Sequence, residues 1–209
     1  MDTLENPIAE IQPYQPKPID FARPLVIIFL VLIADQVLKV WVKTHMILGG
    51  PPISVLGHWF QLQFVENNGI AFGAEFGGVW GKLFLTLFRI IASVGIFWYL
   101  LKMINLNAGK GVIISWALIF AGATGNIIDS IFYGLWFKQI NVYPSALFHG
   151  RVVDMLYMPI LSGHFPEWFP IWKGEEFVFF RPIYNLADAS ISVGVILILL
   201  FYRKDLKSV

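Results

Sequence analysis

Val112-Ile113-Ile114-Ser115-Trp116-Ala117-Leu118-Ile119-Phe120-Ala121-Gly122-Ala123-Thr124-Gly125-Asn126-Ile127-Ile128-Asp129-Ser130-Ile131 is a mostly apolar run that closes on an amide and an acid. About 20 residues is what a helix needs to cross a hydrocarbon core of roughly 30 Å. A carboxylate at bilayer depth costs about 2.5–3.5 kcal/mol on insertion scales, so Asp129 asks for a functional reason. Three further apolar runs repeat the pattern. Residues 24–42 hold Asp35, residues 83–101 hold Arg89, and residues 183–202 open on Asn185 and Asp188. The expectation is an all-α integral membrane protein with four transmembrane helices at about 24–42, 83–101, 112–131 and 183–202.

Composition agrees. Of 209 residues 57% are apolar and 14% charged, against roughly 45–50% and about 25% in soluble domains. A net charge of +1 argues against a nucleic-acid partner. There is no cysteine, which removes disulfides, thiolate metal sites, a cysteine nucleophile and a lipidated cysteine of the chain's own. His45, His58, His149 and His164 show no metal-ligand spacing, so neither metal nor cofactor is expected. Residues 1–23 carry Asp2, Glu5, Glu10, Asp20 and several prolines. They are too long and too acidic for the leader of a cleavable signal peptide and are read as a flexible tail before an uncleaved span.

Charge sets the orientation. The short segment 102–110 and the tail 203–209, with Arg203, Lys204 and Lys207, are densely basic, whereas segments 44–82 and 132–182 are long and sparsely basic. By the positive-inside rule both termini are cytoplasmic and the two long loops face outward. Asp35, Arg89, Asn126, Asp129, Asn185 and Asp188 then share the outer half of the membrane. Gly95, Gly122 and Gly125, with Ala92, Ala121 and Ala123, offer small surfaces for close helix approach.

In the first outer loop Phe60, Leu62 and Phe64 alternate with Gln61 and Gln63, the period of a strand. It runs into Glu66-Asn67-Asn68-Gly69-Ile70-Ala71-Phe72-Gly73, a turn whose glycines could bring backbone close to a ligand. The second loop is rich in proline and aromatics, Phe165-Pro166, Trp168-Phe169-Pro170-Ile171-Trp172 and Phe177–Phe180. Such residues favour the headgroup layer, as an anchor or as a platform for a lipid-bearing substrate.

Asn126-Ile127-Ile128-Asp129 and Asn185-Leu186-Ala187-Asp188 place an amide three residues before an acid, on one helical face. Asp188 falls in the first turns of its span, where the helix dipole favours an anion. Asp154, in Arg151-Val152-Val153-Asp154, is read as an interfacial loop carboxylate. Two carboxylates in an apolar site share one proton at neutral pH, so one can activate water while the other protonates the substrate. Spacing alone does not say which acids pair. It leaves open a carboxylate enzyme, a small proton-coupled transporter with Asp35 and Asp129 as relay sites, and a structural or binding role.

Five blocks together resemble the lipoprotein signal peptidase (signal peptidase II) family. They are Asp35-Gln36, Asn67-Asn68-Gly69-Ile70-Ala71-Phe72, Gly122 to Asp129, Val152-Val153-Asp154 and Asn185-Leu186-Ala187-Asp188, in the family's order across residues 24–202. The resemblance implies an aspartic endopeptidase of the bacterial inner membrane that cuts prolipoproteins before the diacylglyceryl-modified cysteine. Asp154 and Asp188 would be its catalytic dyad. Asn67, Asn126 and Asn185 would line the site, and Asp35 and Asp129 would support it. It further implies a four-helix bundle with an extracytoplasmic β-cradle, a periplasmic loop or helix over the site, membrane lipids as surroundings, a monomer, and inhibition by globomycin-like peptides. Two departures stand out. The family's Asp in the Gly-Asn block is usually followed by Arg, and here Ser130 follows Asp129; Arg89 or Arg151 is a candidate replacement. The gaps on either side of Asp154 are also longer, mainly through aromatic insertions. Arg89 has the depth to meet Asp35 or Asp129, or else to snorkel outward.

Overall fold

The computed structural model describes residues 14–68, 78–143, 146–179 and 181–203. The glycine-rich turn 69–73 and the end of the basic tail, expected features of the sequence, lie outside them. Helix α1 runs Pro18–His45, strands β1 and β2 follow at Ile53–Leu56 and Phe60–Asn67, and helix α2 spans Gly78–Asn105. Helix α3 occupies Lys110–Trp136. Strands β3 (Val152–Tyr157), β4 (Leu161–His164), β5 (Glu176–Phe179) and β6 (Ile183–Tyr184) precede helix α4, Leu186–Tyr202. Among the described residues α1, α2 and α3 are long and apolar enough to cross a membrane, and α4 is apolar but shorter.

Pro18 stands at the start of α1, where its missing N–H costs nothing, so the helix begins ahead of residue 24. Helix α4 starts later than the apolar run suggested. Ile183 and Tyr184 pair with Tyr157 and Leu156 of β3 as a strand, and the helix begins only after Asn185 caps it. The β-cradle expected beside the helices is present as a small sheet. Four antiparallel strands in the order β1-β2-β3-β6 form one sheet, fed by both long loops, and β4 and β5 form a separate hairpin. The alternation at residues 60–65 does form a strand, but apolar Val152-Val153-Asp154-Met155 is also a strand, buried along its length. Asp154 thus lies in the sheet and not in a loop. Among the described residues of 132–182 no separate helix covers the site; Gly134–Trp136 only prolongs α3.

Helix packing rests on small residues. A Cβ on Gly122 would run into the carbonyl oxygen of Ala187 and meet Ile191 Cγ1 at 2.7 Å, and one on Gly125 would meet Asp35 Oδ2 at 2.8 Å. On α4, a Cβ on Gly194 would meet Ser115 of α3 at 2.6 Å. The other expected small surface, Ala92 with Gly95, is exposed and packs against nothing nearby. Near its end α3 widens into a π turn at Asp129–Tyr133. The freed carbonyls of Ser130 and Ile131 accept from Gly150 N at 3.0 Å and Phe148 N at 3.0 Å. A Cβ on Gly150 would collide with the Asp129 carbonyl, so only glycine lets this loop dock. The docking delivers β3 to the end of α3.

Gly122→Ala should destabilise the protein by about 1–3 kcal/mol, the usual cost of overpacking, whereas Gly95→Ala, with open space for its methyl, should not destabilise it. Thermal unfolding of both variants in one detergent checks this; equal midpoints would refute the close α3–α4 contact.

Candidate active site

At the sheet-bearing end of the helices the polar groups of the sequence meet. Asp35 and Lys39 are one turn apart on α1, and Lys39 Nζ lies 2.9 Å from Asp35 Oδ2 and 2.8 Å from Asp129 Oδ2. All three side chains are buried. Gln36 Nε2 donates to Asp35 at 3.1 Å and to Asp129 Oδ1 at 3.0 Å, and Tyr133 OH donates to Gln36 Oε1 at 3.1 Å. Asp35 Oδ1 accepts from the backbone N–H of Ala187 at 2.9 Å. This charge-assisted bond satisfies one of the N–H groups that a helix start leaves open.

Asn185 caps α4 from outside the helix. Its Oδ1 accepts from Asp188 N at 2.9 Å, the role that makes asparagine a favoured N-cap. The two amide–acid repeats are thus not equivalent, since Asn126 lies within α3 while Asn185 stands before α4. Asn185 Nδ2 donates to Asp154 Oδ1 at 2.6 Å and reaches Asn126 Oδ1 at 3.1 Å. Asn126 Oδ1 also accepts from Lys39 at 3.0 Å, which leaves its Nδ2 to donate to Asp188 Oδ1 at 2.7 Å. Asn67, at the end of β2, donates to the other oxygen of Asp154. One turn further along α1, Lys43 forms a buried ion pair with Glu66, the residue before Asn67. Asp154 is 2% exposed. Burial first, and the charge of Asp188 second, push its carboxyl up to about 7, against the lowering effect of the Asn185 hydrogen bond.

Seven of the nine sequence candidates therefore lie in one hydrogen-bonded network. The two arginines are placed differently. The cation on Asp35 and Asp129 is Lys39, not Arg89, because α1 already carries an amine within reach of both. Arg89 is half-buried and turns inward, its guanidinium 3.4 Å from Ser130 Oγ. The carboxylates whose field reaches it are Asp188 first, then Asp129 and Asp154. Arg151 stacks on the Tyr143 ring at 4.4 Å. Sequence reasoning passed over Lys39, although its spacing from Asp35 is that of an i,i+4 ion pair. It also missed a polar face on α2, where Lys82, Thr86 and Ser93 are buried in line with Arg89. Among the described residues no group of His, Cys, Asp and Glu could hold a metal ion.

Acids bridged by amides at the end of apolar helices suit a membrane-embedded hydrolase. A bacterial membrane enzyme solved by the in meso method at 2.3 Å superposes with a TM-score of 0.63, at 26% identity, over 94% of this chain and 96% of its own. The chain belongs to the signal peptidase II family: the profile of Signal peptidase (SPase) II matches residues 27–203. It is 50% identical over 189 residues to the lipoprotein signal peptidase of Porphyromonas gingivalis, covering 85% of this chain and 81% of that one. To the lipoprotein signal peptidase of Amoebophilus asiaticus it is 41% identical over 184 residues, 87% and 78% of the two chains. The chain is accordingly an aspartic protease of the membrane, and the transporter reading falls away.

Lys39→Met should cost about 3–5 kcal/mol, because it leaves Asp35 and Asp129 buried without their cation. Lys39→Met combined with Asp129→Asn should recover part of the loss. Unfolding midpoints of the purified variants read this directly; a single variant as stable as the parent would show that the triad holds nothing together.

Proposed function

We propose that this protein removes signal peptides from bacterial prolipoproteins, cutting before the cysteine that carries the diacylglyceryl group, with Asp154 and Asp188 as its catalytic pair. The observation that carries the reading is the amide bridge Asp154–Asn185–Asn126–Asp188. It holds two acids of one site in register without neutralising either. Asn67, Asn126 and Asn185 position the pair, Asp35 and Asp129 support it from behind, and Arg89 and Arg151 supply positive charge at its edge.

Asp188, in the first turn of α4, is the base, and Asp154, raised to about 7, is the acid. Asp188 takes a proton from water as its oxygen bonds to the scissile carbonyl carbon, and Asp154 gives its proton to the carbonyl oxygen. The tetrahedral diol then collapses. Asp188 passes its proton to the leaving nitrogen, the C–N bond breaks, and Asp154 recovers a proton from the diol. Water is the only co-reactant, and the lipid chains and apolar signal helix of the substrate hold the scissile bond at the membrane surface.

In this reading α1, α2, α3 and α4 all cross the inner membrane and the chain works as a monomer among membrane lipids. Both termini are cytoplasmic and the acids open toward the periplasm. The basic residues of 102–110 and of the tail from Arg203 support the orientation.

Asp154→Asn and Asp188→Asn should each abolish cleavage of a lipidated prolipoprotein, by a factor of about 10³ or more, while the protein remains folded in detergent. Gel-shift assays on purified variants test the assignment, and parental turnover by either would sink it.

The raised carboxyl also predicts a pH dependence. Folded Asp154 holds a proton up to about pH 7, while an unfolded aspartate loses it near 3.9. Its contribution to stability is therefore full below about pH 4 and lost as pH rises through 7. The midpoint of the parent relative to Asp154→Asn should fall between pH 4 and pH 8. A difference that stays flat across that window would deny the shift.

A further inference from the structure

Far from the acid network, α1 and the α2–α3 turn line a cavity of about 470 Å³, within the range of ligand pockets. Arg23, on its rim, precedes Asp35 by about 18 Å of helix at 1.5 Å per residue. Ile27, Ile104 and Ile113 make its walls apolar, while Arg23 and Lys110 stand among its lining residues. Among the described residues neither cation has a carboxylate within ion-pair distance. The acid of the lining, Asp20, is already engaged by Tyr14 OH at 2.6 Å and Lys17 N at 2.7 Å. Pro24, inside α1, has no N–H to give the Asp20 carbonyl, which keeps an acceptor at the same rim. A narrower apolar groove of about 240 Å³ flanks α1 between Pro24 and Leu100, and it shares Pro24 and Ile104 with the first.

We propose that this cavity binds one anionic phospholipid, with the phosphate between Arg23 and Lys110 and an acyl chain along Ile27 and Ile113. The adjoining groove takes the second chain, and a headgroup hydroxyl reaches the Asp20 carbonyl. An apolar wall alone would accept any lipid; the two cations of the lining outnumber its one carboxylate, Asp20, and select a net negative head. Near a membrane surface one net cation contributes about 1 kcal/mol toward an anionic lipid, so the lining gives roughly fivefold preference.

Native mass spectrometry of the full chain, titrated with phosphatidylglycerol and with phosphatidylcholine of the same acyl chains, tests the proposal. Phosphatidylglycerol should remain bound at roughly fivefold lower concentration. Arg23→Gln with Lys110→Gln should erase the difference, and Ile113→Trp, which fills the cavity and keeps both charges, should weaken both lipids. Neither variant touches the acid network, so cleavage of a detergent-solubilised substrate should continue and certify folding. Equal retention of the two lipids by the parent protein overturns the proposal, as does an unchanged preference in the doubly substituted chain.

Discussion

Lys39 lies between Asp35 and Asp129 in an apolar layer, and the rest of the site depends on that triad. None of the three charges could be buried alone without a penalty of several kcal/mol, and together they offset one another only because the geometry is tight. The triad joins α1 to α3, and the second oxygen of Asp35 holds the first turn of α4 through Ala187 N. Three helices therefore meet at one carboxylate. Gln36 and the N–H of Val153, which donates to Asp129 at 3.3 Å, complete the hydrogen bonds of the triad. That last bond carries the constraint out of the helices and into β3, one residue before Asp154.

The sheet is placed by the same end of the bundle. A regular α-helix would have kept the carbonyls of Ser130 and Ile131 for itself; the π turn releases them to the loop that leads into β3. On the other side of β3, β2 is tied to α1 by the buried Lys43–Glu66 pair, with Lys43 also facing the Phe64 and Phe137 rings. Asn67 follows Glu66 directly, so the strand that carries it cannot slide without breaking that pair. Asp154 is thus fixed from both flanks by charges that are not its own.

Much of this was legible in the chain. Hydrophobic length revealed the helices, period-two alternation revealed β2, and the rarity of acids in apolar runs singled out Asp35, Asp129 and Asp188. Other parts could not be read locally. Val152-Val153-Asp154-Met155 shows no alternation because β3 is buried on both faces, and a short apolar run of that kind carries no period. Asn185 looked helical by its spacing to Asp188, yet an N-cap has that same spacing and differs only in backbone angle. The π turn has no composition of its own. Lys39 was legible and was missed: in a membrane span, a lysine one turn after an aspartate is as improbable alone as the aspartate is, and each explains the other.

The choice of amides between the triad and the acid pair has a consequence for chemistry. Lys39 donates to Asn126, and Asn126 donates to Asp188, so the amine fixes the orientation of the amide without touching either acid of the pair. An amine placed directly on Asp154 would stabilise its anion and draw its proton off well below neutrality. Asn67 and Asn185 instead hold both of its oxygens with neutral donors. Their pull toward the anion is weaker than the push of burial and of the neighbouring Asp188 charge, and the carboxyl stays near 7. Charge assembles the scaffold, and neutral hydrogen bonds finish the site. A proton kept on Asp154 near neutrality is what the proposed pair requires of its acid.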